Sequence, residues 1–173
     1  NAALMIKVPI TEKVSVAAAI RRSYIDGLLQ AFMDSTGEGG TVLLPVYYDY
    51  QLRVDVKLSD DNRFFFLFFG SDDQLEVVSN KEEDDFGVSF DTQTTFHRLL
   101  AGWRYQITPR LLSRTTPTLG FNYLSFDIGQ LSIDFTTFNF LLREDLEYKL
   151  SKRTTIRFGA DFLVEKLWAD TEV

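Results

Sequence analysis

The stretch Tyr48-Asp49-Tyr50-Gln51-Leu52-Arg53-Val54-Asp55-Val56-Lys57-Leu58 decides the fold. Its even positions are aliphatic or aromatic, while Asp49, Gln51, Arg53, Asp55 and Lys57 fill the odd ones. Successive side chains of a strand point to opposite faces, so this is a strand with one greasy and one charged face. The alternation returns in Phe138, Phe140, Leu142, Leu146, Tyr148 and Leu150 against Asn139, Arg143, Asp145, Glu147 and Lys149. It returns again in Ile156, Phe158, Ala160, Phe162 and Val164 against Arg157, Asp161 and Glu165. Leu141 and Glu144 break the second pattern. With further candidates at 2–9, 14–24, 64–78, 88–107, 111–128 and the start of 131–150, the chain reads as eight strands.

Punctuation between the strands adds a second signal. Ile10-Thr11-Glu12-Lys13, Leu58-Ser59-Asp60-Asp61-Asn62-Arg63, Ile107-Thr108-Pro109-Arg110 and Leu150-Ser151-Lys152-Arg153 each run aliphatic, hydroxyl, turn residues, base. The hydroxyl positions lie 48, 49 and 43 residues apart, so a two-stranded unit recurs along the chain. Connections between units are longer and polar, at Asp34-Ser35-Thr36-Gly37-Glu38-Gly39-Gly40 and Asn80-Lys81-Glu82-Glu83-Asp84-Asp85, with Gly129-Gln130 a short exception. Short turns at one end and long loops at the other are the asymmetry of outer-membrane barrels, whose short turns face the periplasm.

A three-residue turn at 151–153 fixes a register for the last hairpin. Glu147 then faces Arg157 and Arg143 faces Asp161 on the charged side, while Leu146 meets Phe158 and Leu142 meets Phe162 on the other. Cross-strand pairs of this kind each contribute about 0.2–1 kcal/mol. The same register points Glu144 to the apolar face, where a charge costs most at a membrane midplane and little near its rim.

The composition narrows the partners. Net charge is −7, and no Lys/Arg cluster is present to neutralise phosphates, which argues against nucleic acid. Cysteine is absent, so no disulfide or thiolate metal site can form. The 16 Phe, 7 Tyr and 2 Trp suit half-buried pleated surfaces and membrane interfaces. No apolar run approaches the roughly 18 residues of a membrane helix, a test blind to barrel strands.

These observations predict one all-β domain over 1–173, an antiparallel up-and-down transmembrane β-barrel of about eight strands. Asp49, Arg53, Asp55 and Lys57 are expected to face its lumen together with the pairs Arg143–Asp161 and Glu147–Arg157. A soluble up-and-down barrel has the same periodicity with its apolar residues inside. Paired charges of both signs on the polar face, and aromatic residues near strand ends such as Tyr47, Tyr48, Tyr50, Trp103, Tyr105 and Trp168, favour the membrane form.

Val8-Pro9-Ile10 followed by Arg21-Arg22-Ser23-Tyr24-Ile25-Asp26 resembles the opening barrel strands of TonB-dependent outer-membrane receptors. Pro45-Val46-Tyr47-Tyr48-Asp49-Tyr50-Gln51-Leu52 and Phe68-Phe69-Gly70-Ser71-Asp72-Asp73 resemble the stretches that follow in some members. The match covers about the first 80 residues; the family often has Gly where Val8 stands. The resemblance implies a 22-stranded barrel closed by a plug domain, importing a scarce ligand with energy from an inner-membrane partner. This chain shows neither a plug nor a TonB-contacting segment, and it ends at Asp170-Thr171-Glu172-Val173 without a terminal aromatic, so a fragment of a larger receptor is expected.

Chemistry-bearing motifs have structural readings. His97, the only histidine, has no second His or Cys with which to share a metal, whose sites need three or four ligands. The acidic run at Glu82, Glu83, Asp84 and Asp85 lacks the glycine-punctuated spacing of a calcium loop and reads as a solvated loop. Ser71-Asp72-Asp73 and Asp60-Asp61 read as loop and turn. Arg21-Arg22 would send one guanidinium to the lumen and the other outwards near the rim, against lipopolysaccharide phosphates or as an interface anchor. No phosphate loop or nucleophile elbow is present. The expectation is no enzyme, no cofactor and no metal, but a bacterial outer-membrane protein. Its expected partners are lipid and lipopolysaccharide, with a plug domain or other envelope proteins. A self-contained eight-stranded barrel acting as anchor or adhesin is the rival reading, and a soluble carrier of an apolar ligand a third.

Overall fold

The computed structural model describes residues 2–25, 27, 31, 41–79 and 90–172. The predicted loops at 34–40 and 80–85 lie outside the described residues. Eight strands follow in chain order: β1 (Ala2–Pro9), β2 (Val14–Arg22), β3 (Thr41–Lys57), β4 (Asn62–Ser79), β5 (Phe90–Thr108), β6 (Leu111–Ile128), β7 (Leu131–Lys149) and β8 (Thr155–Glu172). Each pairs antiparallel with its neighbour, so they form one up-and-down sheet in the order of the chain. β3 to β8 are 17 to 19 residues long, against 8 and 9 for β1 and β2. β3 and β8 therefore run well beyond the alternating stretches that announced them, and β2 stops two residues short of Tyr24. β1 and β8 are the two edges, and the sheet is open.

Local chemistry explains the turns. The Thr11 hydroxyl accepts from the backbone N–H groups of Lys13 and Val14 at 3.1 and 3.0 Å. Thr108 accepts from Arg110 and Leu111 at 3.3 and 3.0 Å, and Ser151 from Arg153 and Thr154 at 3.2 and 3.1 Å. A hydroxyl that satisfies two turn N–H groups competes with continuation of the ladder, so its recurrence marks where these three hairpins reverse. The turn after β3 shares a backbone pattern with two others. Leu58 and Ser59 both donate to the Asn62 carbonyl, as Ile10 and Thr11 do to Val14, and Leu150 and Ser151 to Thr154. At the opposite end Gly129 adopts φ 63°, which lets a two-residue turn join β6 to β7.

The β7–β8 register is the one the three-residue turn demands: Glu147 faces Arg157, Arg143 faces Asp161, Leu146 faces Phe158 and Leu142 faces Phe162. Near the β5–β6 turn the ladder slips between Gln106 and Thr108, leaving Ile107 unpaired as a bulge. The Gln106 side-chain amide bridges the irregularity by donating to the carbonyls of Thr108 and Leu111 at 2.7 and 3.1 Å.

The sheet has no second layer among the described residues. Leu112, at 6% exposed, is the one buried hydrophobic side chain there, whereas Phe66, Phe68, Leu119, Phe138, Leu142, Phe158, Phe162 and Val164 are all exposed. A sheet with a greasy face normally hides it against another element. Here the face is laid bare.

Candidate functional site

The candidate site is the sheet itself, whose two faces differ in chemistry. Following the register from β3, one face carries Tyr50, Leu52, Val54 and Val56. Beside them lie Val14, Val16, Ala18 and Ile20 of β2 and Phe64, Phe66 and Phe68 of β4. The face continues through Leu99 and Trp103 of β5 and Leu119 and Phe121 of β6 to Phe138, Phe140 and Leu142 of β7 and Phe158, Phe162 and Val164 of β8. On β5 the apolar run is His97 to Tyr105 and on β8 Ile156 to Val164, about nine residues each and near the length of a spanning barrel strand, whereas on β3 it runs from Val56 past Tyr48 to Val46.

Aromatic rings border this band. Towards the short turns Trp103 stacks on Phe64 at 5.4 Å and on Tyr105 at 5.7 Å, and its indole N–H donates to the Asn62 side chain at 2.7 Å. Towards the other end stand Tyr48 and Tyr50 of β3, Tyr123 of β6 and, next after Lys166 on the same face, Trp168 of β8. Tyr50 lies across Gly70 to hydrogen-bond Nδ1 of His97, whose ring stacks on Phe121 at 5.9 Å. A Cβ at position 70 would overlap both the Tyr50 hydroxyl and the Phe96 carbonyl, so the glycine is what allows this approach. His97 is thereby a member of an aromatic patch.

Beyond that border the same face of β4 to β8 turns polar while the strands continue. Asp72 accepts from the Gln93 amide and the Thr95 hydroxyl, each at 3.0 Å, and the Tyr123 hydroxyl donates to Asp134 at 2.9 Å. Ser71, Asp72 and Asp73, expected in a loop, are therefore strand residues of β4. Their pairing continues because Asp72 finds side-chain donors on β5, which local sequence does not reveal.

The opposite face gathers the charges. Asp49 accepts from Arg21 at 2.5 Å across the β2–β3 ladder, and Arg53 reaches Asp55 along its own strand at 2.7 Å. Lys57 bends to Asp60 in the adjoining turn at 2.5 Å, and its ammonium holds the Asp60 carboxyl below the usual carboxylate range. Arg143 sits 3.1 Å from Asp161 and 3.8 Å from Asp145; Glu147 sits 3.0 Å from Arg157 and 3.6 Å from Arg114. All eight residues singled out from the sequence lie on this face, each in an ion pair. Arg21, Asp60, Arg114 and Asp145 were missed as partners. The two-residue turn at Gly129-Gln130 sets Arg114 opposite Asp145, but Arg114 reaches diagonally to Glu147 and Asp145 pairs along its strand with Arg143, which the register alone does not reveal.

Both breaks in the alternation of β7 have tertiary explanations. Leu141 belongs to a row, Leu67, Leu100, Thr118, Leu141 and Leu163, that crosses the charged face from β4 to β8. Glu144 points to the apolar face, where the Ser113 and Thr115 hydroxyls of β6 donate to its two carboxylate oxygens. A buried or lipid-facing carboxylate is tolerable only when its lone pairs are taken up in this way.

No helix among the described residues is long and apolar enough to cross a membrane. No group of three or more His, Asp or Glu there converges as a metal site would require. No protein-family model, no curated protein and no solved structure matches this chain.

Proposed function

We propose that this chain is membrane-spanning wall of a bacterial outer-membrane β-barrel, part of a TonB-dependent receptor that takes up a ligand. The observation that carries the membrane reading is a single-layer sheet with one bare apolar face whose width matches a bilayer. Nine residues at about 3.4 Å each, tilted as barrel strands are, span about 25 Å, the height of an outer-membrane apolar band. Borders of Trp and Tyr at both sides of the band agree with interfacial girdles. Facing the lumen, the ion pairs of Arg21, Arg53, Arg143 and Glu147 would stay hydrated and line the path, with a plug domain supplied by further chain.

The receptor assignment rests on the resemblance of the first 80 residues and on strand length. Strands of 17 to 19 residues are about twice the nine that cross the apolar band, so they carry the sheet well beyond it. The test is to refold this chain in detergent and compare the gel mobility of heated and unheated samples alongside circular dichroism. A β-rich chain without a heat-modifiable band supports wall of a larger barrel. A compact heat-modifiable band means that the 173 residues close alone and replaces the transport reading with an eight-stranded anchor. Stable folding in water without detergent removes the membrane reading altogether.

A further inference from the structure

The lysines and arginines of the strands are distributed unequally between the faces. Lys7, Arg53, Lys57, Arg98, Arg143 and Arg157, among others, lie on the charged face. Among the described strand residues the apolar face carries only Arg22 and Lys166. Each stands where the apolar run of its own strand ends, Arg22 following Ile20 and Lys166 following Val164. Each also lies against aromatic rings of the border. The Arg22 guanidinium is 5.3 Å from the Tyr24 ring and 5.0 Å from that of Tyr48, and the Lys166 ammonium is 4.6 Å from the Trp168 ring.

Resting on the membrane reading above, we infer that Arg22 with Tyr24 and Tyr48, and Lys166 with Trp168, are contact points for the phosphate groups of lipid headgroups at the loop-side border of the apolar band. A cation beside an interfacial ring keeps its stem on the apolar surface and its charge at headgroup depth. Position matters doubly here, because the loop-ward ends of β5 to β8 carry Asp91 opposite Asp127 and Asp134 opposite Asp170, with no Lys or Arg beyond Lys166. Like charges facing each other repel an anionic surface as well as one another. Arg22 and Lys166 are thus where a negatively charged headgroup can approach this face.

The experiment uses the full chain refolded into phosphatidylcholine vesicles containing phosphatidylglycerol. With Trp103→Phe, Trp168 is the sole tryptophan and reports on the surroundings of Lys166. With both tryptophans changed to Phe, Tyr48→Trp reports on Arg22. Quenching by chain-brominated phosphatidylglycerol is compared with quenching by chain-brominated phosphatidylcholine at equal mole fraction. One cation beside an anionic lipid surface predicts a preference for phosphatidylglycerol of about fivefold. Lys166→Gln, or Arg22→Gln in the second background, is expected to bring the two lipids to equality while quenching itself persists. Equal quenching before substitution, or a preference that survives it, overturns the headgroup assignment and leaves the membrane reading standing. Absence of quenching by either lipid overturns both.

Discussion

At the scale of the residue, the charged face is held by short ionic contacts between side chains that, Glu147 apart, are a third or more exposed. Arg143 and Asp161, at 55% and 48% exposed, illustrate what such a pair can contribute. Solvent screens the attraction and two flexible side chains lose freedom, so a coupling of about 0.2–1 kcal/mol is expected. A double-mutant cycle of Arg143→Ala and Asp161→Ala, read by denaturant unfolding in detergent, checks it; a coupling indistinguishable from zero would mean that this pair follows the register without stabilising it. Glu144 is a different case, since its hydroxyl partners sit on the neighbouring strand and its face is apolar. Its place in the alternation looked like an error of pattern until Ser113 and Thr115 came alongside.

At the scale of the element, the hairpins owe their positions to hydroxyl-centred turns more than to glycine. Ser151 accepts two backbone N–H groups that otherwise depend on water. Ser151→Ala is expected to destabilise the β7–β8 hairpin by about 0.5–1.5 kcal/mol, measured as faster amide exchange at Arg153 and Thr154 with the rest of the sheet unchanged. The strands themselves were legible from side-chain alternation wherever it was strict, as in 48–58 and 156–164. The loop-ward halves of β4 to β7 fall within the strands expected at 64–78, 88–107, 111–128 and 131–150, where pairing continues through Asp72, Gln93 and Tyr123 although the apolar face turns polar. Only the loop-ward ends of β3 and β8, where the period of two disappears, were not legible. The bulge at Ile107 was equally hidden, since one extra residue leaves no mark in hydropathy.

At the scale of the whole molecule, the register shows a steady stagger. The row that contains Leu4 reaches Lys166 on β8; Leu4 stands six residues from Ile10, and Lys166 thirteen from Arg153. The row thus climbs about one residue per strand, the shear that gives eight-stranded barrels a tilt of roughly 36°. With the short turns level, strands in oriented bilayers should tilt by about 35–45° from the membrane normal, as polarised infrared dichroism of the amide I band would report. Strands lying flat on the surface would count against a spanning sheet. By itself the sequence determined that the chain is all-β, eight-stranded and two-faced, and where its short turns fall, because alternation and turn chemistry are local properties of neighbouring residues. Only the tertiary structure decided which charges meet across β2–β3 and β6–β7, how Glu144 is satisfied, why Gly70 is needed beneath Tyr50, and that Arg22 and Lys166 share the apolar face. Those are relations between strands far apart in the chain, set by a register that accumulates from one hairpin to the next.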